Sequence, residues 1–153
     1  MERDGHGRNT LREFRETTME LDNLYSFFPK YCGLSEPEYW SLLFIYEGME
    51  TQSEISERLF VSRQTLNSAF KQLLKKGLIT LEPFADNLRA KRAVLTNQGR
   101  TLVEERVLYM HRVEERAWQK LSAQEQEMLA RLTRIYADVL DDTLQDSNEK
   151  KEN

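Results

Sequence analysis

Apolar residues recur at three- and four-residue steps through Leu11, Phe14, Leu21, Leu24, Tyr25 and Phe28, which predicts an amphipathic first helix ending near Pro29. A short connection holding Cys32 and Gly33 follows. Ser35-Glu36-Pro37-Glu38 reads as a capping box with proline in the first turn, and Leu34 and Tyr39 stand at staple positions. The second helix runs to about Glu47 and stops at Gly48. Thr51-Gln52-Ser53-Glu54 opens a short third helix with Ile55 and Leu59 inward. After a turn through Phe60 and Val61, Ser62 caps a fourth helix that buries Leu66, Phe70, Leu73 and Leu74 and ends at Lys76-Gly77. Two helices joined by a tight turn make a helix-turn-helix.

Two short β-type runs come next, 78–81 and 92–95, around a polar tip at 84–91. Thr96-Asn97-Gln98-Gly99 then begins a long helix to about Lys120. Ser122 to Glu125 caps a last helix carrying Leu129, Leu132, Tyr136, Val139, Leu140 and Leu144. Residues 1–9 and 146–153 are polar and aperiodic, and read as loose tails. The chain is therefore mainly α with a small β-wing.

Charge changes the picture of the middle. The 153 residues carry a formal charge of −4, which disfavours polyphosphate partners. Between Arg58 and Arg100, however, nine Lys and Arg face only Glu82 and Asp86, for a local charge of +7 against −11 elsewhere. Within this segment the outer face of the Ser62 helix shows Arg63, Gln64, Thr65, Asn67, Ser68 and Lys71. Arginine can bond guanine bidentately, Gln and Asn can read adenine, and Ser62, Thr65 and Ser68 suit phosphate or base edges. Arg89, Lys91 and Arg92 place three cations at the hairpin, where arginine suits a narrow minor groove. Double-stranded DNA is the partner this pattern favours. A winged-helix module that only docks proteins remains open at this point, with the basic face as a solvated surface.

The segments LSEPEYWSLLFI (34–45), TQSEISERLFVSRQTLNSAFKQLLKKGLI (51–79) and VLTNQGR (94–100), in this order of elements, closely resemble the MarR family (multiple antibiotic resistance regulators) over about residues 11–144. The resemblance implies a winged helix-turn-helix with long N- and C-terminal dimerisation helices, 10–34 and 97–145, around a DNA-binding lobe at 35–96. It implies a homodimer on a pseudo-palindromic operator, its two reading helices roughly 34–36 Å apart. It further implies repression of nearby genes, with release by a small, often phenolic ligand. That ligand's site would involve Phe28, Tyr31, Trp40, Phe44 and Tyr109, residues that read equally well as core. The family pattern also places Asp-x-Arg in the wing. Arg89 fits, but Asn87 stands at the aspartate position and Asp86 one residue earlier, so either Asn87 substitutes or the tip is rearranged.

Other classes lose support. No nucleophile–base set or phosphate loop appears, so no enzyme and no cofactor are expected. His6 and His111 cannot supply a typical zinc site. A single cysteine excludes an intrachain disulfide, and the absence of a long apolar run or signal-type N-terminus points to a cytoplasmic protein with no membrane segment. Some relatives sense oxidants through a cysteine, but Cys32 lies after the first helix rather than within it, with Lys30 as its nearby cation in the sequence.

Overall fold

A computed structural model describes the backbone of residues 3–149 and the side chains of residues 10–147. Helices α1 (Arg3–Tyr25), α2 (Phe27–Cys32), α3 (Glu36–Tyr46), α4 (Gln52–Leu59) and α5 (Arg63–Lys75) precede a hairpin of β1 (Ile79–Pro83) and β2 (Lys91–Leu95). Helices α6 (Asn97–Leu102), α7 (Leu108–Trp118) and α8 (Ala123–Glu149) follow. The chain divides into two compact units between Met110 and His111. No described helix is long and apolar enough to cross a membrane.

Helix boundaries depart from the expected ones in three places. The backbone is helical from Arg3 and through Glu149, so the tails expected at 1–9 and 146–153 are shorter; residues 1, 2 and 150–153 lie outside the described residues. No proline interrupts either end, and extending an existing helix adds one bond for each residue fixed. The first helix breaks at Ser26 rather than at Pro29. Pro29 lacks the N–H that would bond the carbonyl of Tyr25 and its ring collides with that carbonyl, so α1 ends at Tyr25 and Pro29 sits in the first turn of α2. The helix expected from 97 to about 120 contains a π-helical turn, Val103–Val107, where the Leu108 N–H donates to the Val103 carbonyl.

The first unit is built around α3, which has inward-facing residues on several sides. Tyr39, Ser41, Leu42, Leu43 and Ile45 are all buried. Ile55 of α4, Leu66, Phe70 and Leu73 of α5, Ile79 of β1, and Val103 and Val107 complete the same core. Along α5 the inward set is Leu66, Ala69, Phe70 and Leu73, whereas Leu74, expected inside, is 38 % exposed. At about 100° per residue, Leu74 falls roughly a quarter turn from the centre of that stripe.

Polar stitches fix how these helices meet. The Ser35 cap closes as expected, with the Ser35 N–H donating to Glu38 Oε2 at 2.7 Å. Glu38 is only 4 % exposed, and Lys76 Nζ, just past the end of α5, donates to its other oxygen at 2.7 Å. Burial pushes the Glu38 carboxyl up, but the Lys76 bond and charge and the Ser35 groups outweigh it and hold the acid below its ordinary value. Thr51 forms a second capping box with Glu54. Between α4 and α5 the chain turns through Phe60, a left-handed residue (φ 55°) that is 96 % exposed. An αL residue bearing a Cβ costs roughly 1–2 kcal/mol.

After α5, Gly77 (φ 68°) lets the chain reverse, with Gly77 N–H donating to Leu74 O at 3.0 Å and Leu78 N–H to Leu73 O at 3.0 Å. The strands pair antiparallel from Ile79↔Leu95 to Pro83↔Lys91. On the other side of β2, the Ala93 N–H donates to Glu50 O at 2.7 Å. The hairpin then returns to its own start. Thr96 N–H donates to Leu78 O at 3.1 Å, and the Thr96 hydroxyl donates to Gly77 O at 2.6 Å while accepting from the Gly99 N–H at 3.0 Å. A Cβ on Gly99 would collide with the Leu78 carbonyl oxygen and stand 2.9 Å from its carbon.

Cys32 closes α2 and is buried. Burial pushes its thiol up to about 11, with Arg106 pulling weakly the other way.

Two outcomes follow from this packing. Gly99→Ala should destabilise the fold by about 3 kcal/mol or more, because the clash is with backbone; a denaturant midpoint within error of wild type would contradict the close approach. Native Cys32 should react with iodoacetamide at least about thirtyfold more slowly than free cysteine at pH 7.5, and faster as pH rises toward its pKa. A rate matching free cysteine would contradict the burial.

Candidate nucleic-acid interface

The face of α5 opposite the core is polar and exposed along its length. Arg63, Gln64, Thr65, Asn67, Ser68 and Lys71 all lie on it. Ser62 precedes the helix in extended conformation, its Oγ accepting from the Thr65 N–H at 3.1 Å and lying 2.9 Å from Thr65 Oγ1. Ser62 and Thr65 are thus partly occupied with capping. Ser68 Oγ donates to the Gln64 carbonyl at 3.1 Å, which fixes its rotamer and leaves its lone pairs outward. Arg63 and Asn67 also flank a groove of about 300 Å³ whose far wall is Gln52, Ser53 and Ser56 of α4. The sequence reading had not singled out these α4 residues; their place in the first two turns after the Thr51 cap was the available signal.

Asn87 takes part in the hydrogen bonding of the wing tip. Asn87, Leu88, Arg89 and Ala90 form a turn in which the Ala90 N–H donates to Asn87 O at 3.2 Å. The Arg89 N–H donates to Asn87 Oδ1 at 3.1 Å, so Asn87 supplies a side-chain acceptor at this corner. Phe84 N–H to Ala90 O at 3.3 Å closes the hairpin beneath it. Leu88 and Arg89 occupy the two corners and are exposed.

The three wing cations divide. Arg89 and Lys91 are exposed. Arg92 is half-buried, with Nη1 3.4 Å from Glu50 and Nη2 3.3 Å from Glu82, so it braces the hairpin against the segment before α4. Its reach is taken by two carboxylates, and it is displaced from the groove-facing set in which the sequence had placed it.

None of the described clefts is lined by the five aromatics expected around a ligand. Tyr31 stacks near Tyr109 with ring centroids 5.7 Å apart, and both are exposed. Trp40 lies 6.2 Å from Phe44, and Phe28 5.3 Å from Tyr25. Phe28, Trp40 and Phe44 pack against the core as half-buried residues. A cleft of about 620 Å³ lies instead between the end of α2, the end of α5 and the helix after the wing. Cys32, Lys76, Leu78, Gln98 and Arg106 are among its lining residues, and none of the five aromatics is. Among the described residues, no group of three or more His, Cys, Asp or Glu stands close enough to hold a metal ion.

This arrangement has close counterparts. A family model described as MarR family matches residues 33–90, from the end of α2 to the wing tip. The solved structure of the transcriptional regulator SlyA is 29 % identical, covering 87 % of this chain and 95 % of its own, with a TM-score of 0.67. The MepR–DNA complex of S. aureus is 24 % identical over 82 % of this chain and 93 % of its own, also at 0.67. BldR from Sulfolobus solfataricus, at 18 % identity, covers 85 % and 96 % with a TM-score of 0.66, which is a likeness of fold. No curated protein sequence matches the chain. The family match to the reading lobe, the SlyA likeness across nearly the whole chain and the shared order of elements agree: residues 33–90 match the MarR family, and the chain as a whole has the fold of winged-helix transcription regulators.

Proposed function

We propose that this chain is a homodimeric repressor that binds a pseudo-palindromic operator, with α5 in the major groove and the Arg89 corner in the adjacent minor groove. The observation that carries the reading is the outer face of α5, where Arg63, Gln64, Asn67 and Lys71 are exposed beside a wing whose Arg89 and Lys91 are exposed too. Hydrogen-bonding side chains of these types suit base edges, and the cations suit phosphate. A module that only docks proteins would leave this face without a counterpart.

Dimerisation rests on two apolar stripes. Leu11, Phe14, Leu21 and Leu24 of α1 are exposed, as are Leu129, Leu132, Tyr136, Val139, Leu140 and Leu144 of α8. Exposed apolar rows of this length mark association surfaces, and a second copy is the occupant proposed. Release by a small effector rests on the cleft at the end of α5, where Lys76 and Arg106 stand by an otherwise partly apolar wall. An occupant there would bias the spacing of the two reading helices, with a coupling of about 1–3 kcal/mol. The chain would act in the cytoplasm, where its DNA is.

Selection of duplexes from a random-sequence pool by the wild-type protein tests the reading. Enrichment of an inverted repeat is expected, and no enrichment would favour the protein-docking alternative. Gln64→Ala should then relax base preference at one position per half-site by about 5- to 150-fold, as loss of a bidentate contact would. Uniform weakening across all sequences would reassign Gln64 to the backbone.

A further inference from the structure

We infer that Leu88 is a DNA-contacting residue that enters the minor groove with Arg89 and packs its side chain against the sugar walls. This rests on the DNA reading above and extends it to a residue that neither charge nor hydrogen-bonding capacity would single out.

Leu88 is 73 % exposed, in a turn whose other residues are Asn87, Arg89 and Ala90. It does not lie there by slack in the loop. The Asn87 side chain and carbonyl accept from the Arg89 and Ala90 N–H groups, at 3.1 and 3.2 Å, and hold Leu88 and Arg89 as the paired corners of one turn. Arg92, bonded to Glu50 and Glu82, and the Ala93 N–H, bonded to Glu50 O, anchor the strand that carries the turn. A braced hairpin therefore presents one apolar and one cationic side chain side by side, with Lys91 two residues further on.

That pairing fits a minor groove better than it fits water or a protein surface. A guanidinium is drawn by the groove's negative potential. The groove's walls are deoxyribose carbons, and apolar side chains that enter it pack there or wedge between base steps. The neighbouring cations select a polyanion over an apolar protein partner. Leu88 contributes contact area without charge, so its effect on binding separates cleanly from that of Arg89.

The test compares Leu88→Ala and Arg89→Ala with wild type on the duplex that wild type enriches from a random pool, with affinity measured at several salt concentrations. Leu88→Ala should weaken binding about tenfold at every salt concentration, with an unchanged slope of log affinity against log salt and an unchanged thermal midpoint, because the side chain is exposed in the free protein. Arg89→Ala should make the slope shallower. Wild-type affinity for Leu88→Ala, with Arg89→Ala impaired, would overturn the inference alone. A changed slope for Leu88→Ala would also overturn it, since the residue would then be acting through the position of a cation. Failure of wild type to enrich any duplex would overturn the DNA reading and this inference together.

Discussion

The close approach of Gly99 to the Leu78 carbonyl sets the geometry on which the DNA face depends. At this point the chain leaving α5 and the chain entering α6 touch backbone to backbone, and the Thr96 hydroxyl bonds across to Gly77 while capping α6. The hairpin between them is thereby closed at its base. Its position relative to α5 is fixed by contacts that no side chain can rotate away from. The wing can then carry Arg89 at a constant offset from Arg63 and Gln64, which two independent loops could not do.

Around that junction the basic residues serve two ends. Lys76 holds the buried Glu38, Arg92 braces the wing, and Arg58 and Arg100 lie over the rings of Phe44 and Tyr46 at 6.0 and 5.5 Å. These cations assemble the lobe. Arg63, Lys71, Lys75, Arg89 and Lys91 make no ion pair with a described residue and face outward. The excess of positive charge in the middle of an acidic chain is thus only partly available to a polyanion. The Lys76–Glu38 pair is the costlier kind to lose, because removing the lysine would leave a buried carboxylate unpaired.

Much of this was legible in the sequence because it is written in local signals. Capping boxes at Ser35, Thr51 and Ser122 fixed helix starts to the residue, and the threonine–glycine spacing after the wing marked a junction whose reason is now the Leu78 carbonyl. What was not legible depended on partners distant in sequence. Arg92 looked like its neighbours Arg89 and Lys91 until Glu50 and Glu82 were placed beside it. The π-helical turn left no trace because Val103, Val107 and Met110 also fit an ordinary α-helical stripe. How the aromatics pair was not legible either, because periodicity shows which face a ring occupies and not which rings meet.

The central claim is that five outward cations on α5 and the wing make this acidic chain a DNA-binding protein. The most direct measurement is the wild-type affinity for its enriched duplex between about 50 and 300 mM salt. A dimer presenting up to five free cations per protomer predicts a linear fall of log affinity with log salt, with a slope of about −4 to −9. A slope near zero, or binding that strengthens with salt, would contradict the account.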